Sequence, residues 1–173
     1  MSAGAAGEDA RVARLAAQLR ADGVDALLVT APVNVRYLTG FTGSNGLALV
    51  LAGDDGGADG APRGRFFTDF RYRTQSAEQV VEALAREIVV GSLIEAAAGT
   101  LAGSSGTLGF DDAHLTVAAH ARLREALPSG WELARRGGEV ERLRAVKDER
   151  EVARMRAAAQ LADEALRGVL EGG

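Results

Sequence analysis

Hydrolytic and redox centres are built from nucleophiles, metal ligands or paired titratable groups, and this chain of 173 residues offers few of them. It has no cysteine, which excludes disulfides and thiolate ligands. Its only two histidines, His114 and His120, are six positions apart, so they do not share a helical face. Asp111, Asp112 and His114 form an Asp-Asp-x-His cluster with donor types that suit a metal. The stronger reading of the same residues is an acidic turn after a strand, leading into a helix whose N-terminus favours negative charge. Zinc catalysis asks for three protein ligands and an orienting outer shell, and no such set assembles from this sequence. No catalytic residue and no metal ligand is therefore assigned.

Two further segments imitate ligand sites. The run Gly40–Gly46 is glycine-rich, but it lacks the Gly-Lys-Ser/Thr ending of a phosphate-binding loop. It also leads into an apolar strand, so no helix dipole faces an anion. Asp54, Asp55 and Asp59 suggest calcium without having the EF-hand spacing. No serine sits in a Gly-x-Ser-x-Gly elbow.

One pair of segments is richer. Asn34, Arg36, Tyr37 and Phe41 fall between two strands, followed by Thr42 and Ser44, and Asp69, Arg71 and Tyr72 cluster at the end of a later strand. Loops beyond strand ends are where α/β sheets meet ligands. There Arg71 could grip a carboxylate with both arms of its fork, and Tyr37 or Tyr72 could wall a pocket. By residue type alone the plainer reading is structural, with Asn34 and Asp69 capping helices and Tyr37, Phe41 and Tyr72 covering the sheet.

The elements that would position these residues follow from periodicity. Val12, Leu15, Ala16 and Leu19 predict an opening helix from Glu8, after a disordered leader over residues 1–9. Short apolar runs predict strands at Ala26–Thr30, Gly46–Leu51, Gly64–Thr68, Glu87–Val90, Thr107–Phe110 and Trp131–Ala134. Helices are expected from Pro32 to Gly40, after Asp69, over Leu93–Leu101 and over Thr116–Leu127, with an exposed connection over residues 52–62. The fold class is α/β, a mixed β-sheet flanked by helices. Asp148 and Glu151 resemble a capping box for a last helix with Val152, Met155, Ala159, Ala162, Leu166 and Val169 on one face, widened by Leu161. That stripe either folds back on the sheet or awaits a further core.

Composition bounds the rest. A net charge of −4 argues against a general nucleic-acid binder. No apolar run reaches the roughly 20 residues of a membrane span, so no membrane partner is expected and a cytoplasmic location is.

The order of segments resembles the N-terminal domain of the creatinase/prolidase/Xaa-Pro aminopeptidase family. It is carried by DALLVT (residues 25–30), NVRYLTGFTGSNG (34–46), FFTDFRY (66–72) and the run from Val140 to Leu166. The resemblance implies a domain over residues 10–145, then a linker and the first helix of a C-terminal catalytic domain over 146–173. That catalytic domain, absent here, would bind two divalent metals (manganese, cobalt or zinc) and cleave peptides with proline in second position. This chain would be non-catalytic, would carry no cofactor, and would contribute to a homodimer and restrict substrate access. Asn34, Tyr37, Phe41, Thr42, Ser44, Asp69, Arg71 and Tyr72 are then the positions expected near substrate or the partner subunit. A stand-alone binding module and a domain of a creatinase-like amidinohydrolase remain open alternatives.

Overall fold

Apolar residues at steps of three and four wind the chain first into a helix and then, where runs shorten and fill with Leu, Val and Phe, into strands. The structure is a computed structural model that describes residues 5–53 and 62–171. Helix α1 (Ala5–Ala21) buries Val12, Leu15, Ala16 and Leu19 completely along one stripe. Strand β1 (Ala26–Val29) follows, then α2 (Pro32–Thr39), β2 (Gly46–Leu51) and β3 (Gly64–Thr68). A 3₁₀ turn at Phe70–Tyr72 runs into α3 (Arg73–Gln79), followed by β4 (Ala85–Ile88), α4 (Leu93–Gly99), β5 (Gly106–Phe110), α5 (Val117–Ala126) and β6 (Trp131–Arg135). The chain continues through α6 (Glu139–Ala145) and α7 (Glu149–Glu171).

The six strands form one mixed sheet in the order β4-β3-β2-β1-β5-β6, in which only β2 runs antiparallel to its neighbours. Because strand side chains alternate, the sheet feeds two cores. Leu27, Val29, Ala48, Val50 and Phe66 face α1, α2 and α6. Ala26, Leu28, Leu47, Leu49, Phe67 and Leu108 face α4 and α5. The expected α/β class is what forms.

Several boundaries differ from the sequence reading. Residues 5–9, expected in a leader, already belong to α1, and Asp9 Oδ1 accepts the Ala83 amide at 2.9 Å, which anchors this first part of the helix to the domain. Strand β4 lies two residues earlier than expected, because pairing runs from Arg65–Ala85 to Thr68–Ile88 and leaves Val90 95% exposed. Helix α6 was not anticipated, for it buries only Glu139 and Val140 fully and shows no apolar period. Most of the expected connection over residues 52–62, with Asp54, Asp55 and Asp59, lies outside the described residues.

The anticipated capping box of α7 forms. The Glu151 amide donates to Asp148 Oδ1 at 2.8 Å, and the Asp148 amide donates to Glu151 Oε2 at 3.0 Å. Arg11 on α1 ties this cap to the domain. Its guanidinium lies 2.8 Å from Asp148 and 3.5 Å from Glu151, donates to the Tyr37 carbonyl at 3.1 Å and stacks 4.2 Å over the Tyr37 ring. Burial works against this charge, but the Asp148 hydrogen bond and the Glu151 charge outweigh it and raise the Arg11 pKa. Beyond Val152 every described residue of α7 is exposed, so the stripe does not fold back on the sheet.

Candidate functional site

The sequence-selected residues separate into two groups. Asn34 and Tyr37 are buried by the domain itself. Asn34 is not a cap: Ala31 precedes α2, and Asn34 sits in its first turn. Its amide donates to Glu141 Oε1 at 2.7 Å and accepts from Arg144 at 3.1 Å, which ties α2 to α6. Tyr37 donates to the Leu143 carbonyl at 3.4 Å beneath Arg11, and burial raises its pKa. These two hold helices together and do not face the other selected residues.

Phe41, Thr42, Ser44, Asp69, Arg71 and Tyr72 do converge. They occupy the loop before β2 and the turn after β3, which antiparallel pairing of Gly46 with Thr68 brings side by side. The loop is set by Gly40, which ends α2 with φ of 78° while its amide donates to the Arg36 carbonyl. Thr39 Oγ1 donates to the Val35 carbonyl and accepts the Phe41 amide, at 2.8 and 3.0 Å, turning Phe41 inward. The Phe41 ring packs 4.8 Å from Phe66 and edge-on to Tyr72 at 5.4 Å. Gly43 is required here, since a β-carbon would lie 2.2 Å from the Phe41 ring and 2.7 Å from that of Tyr72.

Polar bonds then lock the loop. Ser44 Oγ and the Tyr72 hydroxyl are 2.7 Å apart, a contact that lowers the Tyr72 pKa. Thr42 donates through its amide and hydroxyl to Gln79 Oε1 at 2.9 and 3.1 Å, and Gln75 donates to Thr42 Oγ1 at 2.9 Å. Asn45 donates to Asp69, and the Thr68 hydroxyl donates to the Asn45 carbonyl at 2.6 Å. Asp69 caps the 3₁₀ turn through the Arg71 amide, and Arg71 Nε and Nη2 grip the same carboxylate at 2.9 and 2.7 Å. The fork and Asn45 hold the Asp69 carboxyl far below the usual carboxylate range. The carboxylate that Arg71 holds is thus the domain's own. Its side chain remains 60% exposed, and Nη1 has no partner among the described residues. Gln75 and Gln79 escaped the sequence reading, although their step of four on one helix was a legible signal.

Ser44 and Asn45 also border a cleft of about 410 Å³ at the carboxyl ends of β1 and β5, shared with Thr30, His114, Leu93 and Arg122. A cleft of about 590 Å³ at the opposite end of the strands, beside Asp25, Arg65 and Trp131, includes none of the selected residues. The Asp-Asp-x-His cluster is dispersed. Asp111 accepts the Ala113 amide, Asp112 accepts the Gly137 amide, and His114 Nδ1 lies 3.2 Å from Thr30 Oγ1. Among the described residues no group of three or more His, Asp or Glu side chains is placed to hold a metal. No helix among the described residues is long and apolar enough to cross a membrane.

Residues 11–146 match the family described as the Creatinase/Prolidase N-terminal domain. The chain is 40% identical over 152 residues to the uncharacterized peptidase YqhT of Bacillus subtilis (strain 168), covering 86% of this chain and 39% of that one. Among solved structures, the N-terminal domain of the cytoplasmic peptidase PepQ from Mycobacterium tuberculosis H37Rv is 39% identical, with a TM-score of 0.67. That match covers 78% of this chain and 98% of the solved one. The Xaa-Pro dipeptidase from Bacillus anthracis aligns with a TM-score of 0.80 at 28% identity, covering 96% of this chain and 44% of that one. The chain thus spans less than half the length of both YqhT and the Bacillus anthracis dipeptidase.

Proposed function

Because this chain belongs to the creatinase/prolidase N-terminal domain family, we propose that it is the non-catalytic domain of an Xaa-Pro peptidase, restricting access to a metal site carried on a following catalytic segment. The observation that carries this reading is the family match over residues 11–146, which takes in the whole loop cluster. The substrate class follows the name of the Bacillus anthracis relative and is a peptide with proline in second position. The cytoplasmic location follows the name of the Mycobacterium tuberculosis relative.

In this reading the loop from Thr39 to Asn45 and the Asp69–Arg71 fork form a rigid wall at the substrate entrance of a homodimer, against the partner's catalytic domain. The wall is stiff because its polar groups bond to one another, Thr42 to Gln79, Ser44 to Tyr72 and Asp69 to Arg71, while one arm of the Arg71 fork stays open. A wall limits substrate length by shape, while the exposed guanidinium of Arg71 offers a charge to a peptide carboxylate. Two divalent ions would activate water in the catalytic segment, whose own residues would supply the ligands.

The purified chain should not hydrolyse Xaa-Pro peptides with manganese, cobalt or zinc added, and metal-dependent turnover would overturn the reading. Joined to a catalytic segment, Arg71→Ala should raise KM several-fold while leaving kcat nearly unchanged. An unchanged KM would remove Arg71 from the entrance.

A further inference from the structure

The path of the chain opens a crevice beyond β1 and β5, and we propose that it binds a small monocarboxylic acid with a branched aliphatic body. The two strands are parallel neighbours whose connections part to opposite faces of the sheet. After β1 the chain enters α2, whose Val35 and Leu38 pack in one core. After β5 it enters α5, whose Leu123 packs in the other. Helices that diverge in this way leave the space outside the strand ends unfilled, which is where open α/β sheets take ligands. The cleft of about 410 Å³ lies there, and its size suits a small organic molecule.

Its lining divides by chemistry. Leu47 is buried and Leu93, Ile94 and Leu115 are half-buried, which gives the cleft an apolar surface. The exposed side chains of His114 and Arg122 are the titratable groups among its described lining residues. No Asp or Glu is found among those residues, in a chain whose net charge is −4. Asp111 and Asp112, nearest along the chain, accept the Ala113 and Gly137 amides.

The polar capacity of the cleft is concentrated. Hydroxyls of Ser44, Ser92 and Thr116 already serve Tyr72, the start of α4 and the start of α5. His114 meets Thr30 through Nδ1 at 3.2 Å, and its Nε2 has no protein partner among the described residues. Arg122 has no ion-pair partner among them either. A guanidinium fork grips one planar carboxylate through two parallel hydrogen bonds. The apolar surface then favours a hydrocarbon body over a second charged group, which sets phosphates and dicarboxylates aside. A free acid and the carboxyl terminus of a peptide share this chemistry. The inference does not rest on the peptidase reading, and its test reads binding rather than turnover.

Titration of the isotope-labelled chain with isovalerate, followed by NMR, should shift the amides of Leu47, Leu93 and Leu115 with a Kd on the order of 1 mM. Isovaleramide, similar in shape but uncharged, should bind about tenfold more weakly. Arg122→Gln should weaken isovalerate binding about tenfold with thermal unfolding unchanged, since the side chain is exposed. Arg122→Lys should recover only part of that loss, because an ammonium group has no fork. Tighter binding of N-acetyl-Ala-Ala-Leu than of isovalerate would assign the site to a peptide terminus, and weaker binding to a free acid. Equal binding of acid and amide overturns the inference. So do shifts that survive Arg122→Gln, or inorganic phosphate binding more tightly than isovalerate.

Discussion

Asp69 is the most strongly held acid in the loop cluster, with Arg71 gripping both carboxylate oxygens and Asn45 adding a third donor. Asp148 is held in the same sense by the Glu151 amide and then Arg11, so its pKa is also lowered. A carboxyl whose folded-state pKa lies below its unfolded value of about 3.9 stabilises the fold fully above that value. The contribution is lost as pH falls through the lowered folded value. Stability from urea unfolding should therefore stay nearly constant between pH 7 and 5 and fall below about pH 4, as the first protons bind the unfolded chain. Asp69→Asn should make that fall shallower, and an unchanged slope would show that the Arg71 fork does not couple to folding. The fork itself was half legible. Arg71 invites a carboxylate on chemical grounds, and the capping role of Asp69 was also foreseen. That the two satisfy each other depends on the 3₁₀ turn, whose three residues leave no periodic trace.

At the scale of elements, α2 positions the loop from both its ends. Its buried Asn34 joins Glu141 and Arg144 on α6, so Asn34→Ala strands polar groups and should cost about 1–3 kcal/mol in chemical denaturation. At the other end, Gly40→Ala places a β-carbon 2.9 Å from the Gln79 carbonyl at a left-handed φ, and should cost a further 1–2 kcal/mol or so. An Asn34→Ala protein as stable as the parent would reduce α6 to a passenger. Helix α2 was readable from Pro32 and Gly40. Its partner α6 was not, because charged residues alternate through Glu139–Ala145 and only Val140 and Leu143 touch the core. Strand β4 was displaced for a related reason: an edge strand takes its register from β3, and apolar Val90 falls beyond the pairing.

In the whole molecule, one sheet separates two cores that share its strands, so damage on one face is felt on the other. Phe66 is fully buried under the loop cluster, and Phe66→Ala should cost about 3–5 kcal/mol. Trp131, the only tryptophan, packs on the opposite layer. Its fluorescence should nonetheless report the full loss of midpoint in Phe66→Ala, whereas an unmoved transition would mean that the layers unfold separately. The α/β class and the strands were legible because short apolar runs bounded by glycines occur in a regular series. The strand order was not, since nothing local tells β2 to run against both neighbours.

The guanidinium of Arg11 has one more consequence, for the order of events at the ribosome. Two of its three ion-pair partners among the described residues, Asp148 and Glu151, are made some 137 residues and more after it, with only Glu8 at hand earlier, and Gln18 on the same helix waits for Glu139. During synthesis α1 therefore emerges early and is completed late. Until the last segments arrive, a buried-to-be cation and an apolar stripe stand open to solvent. The beginning and end of the domain close together, in a single final step.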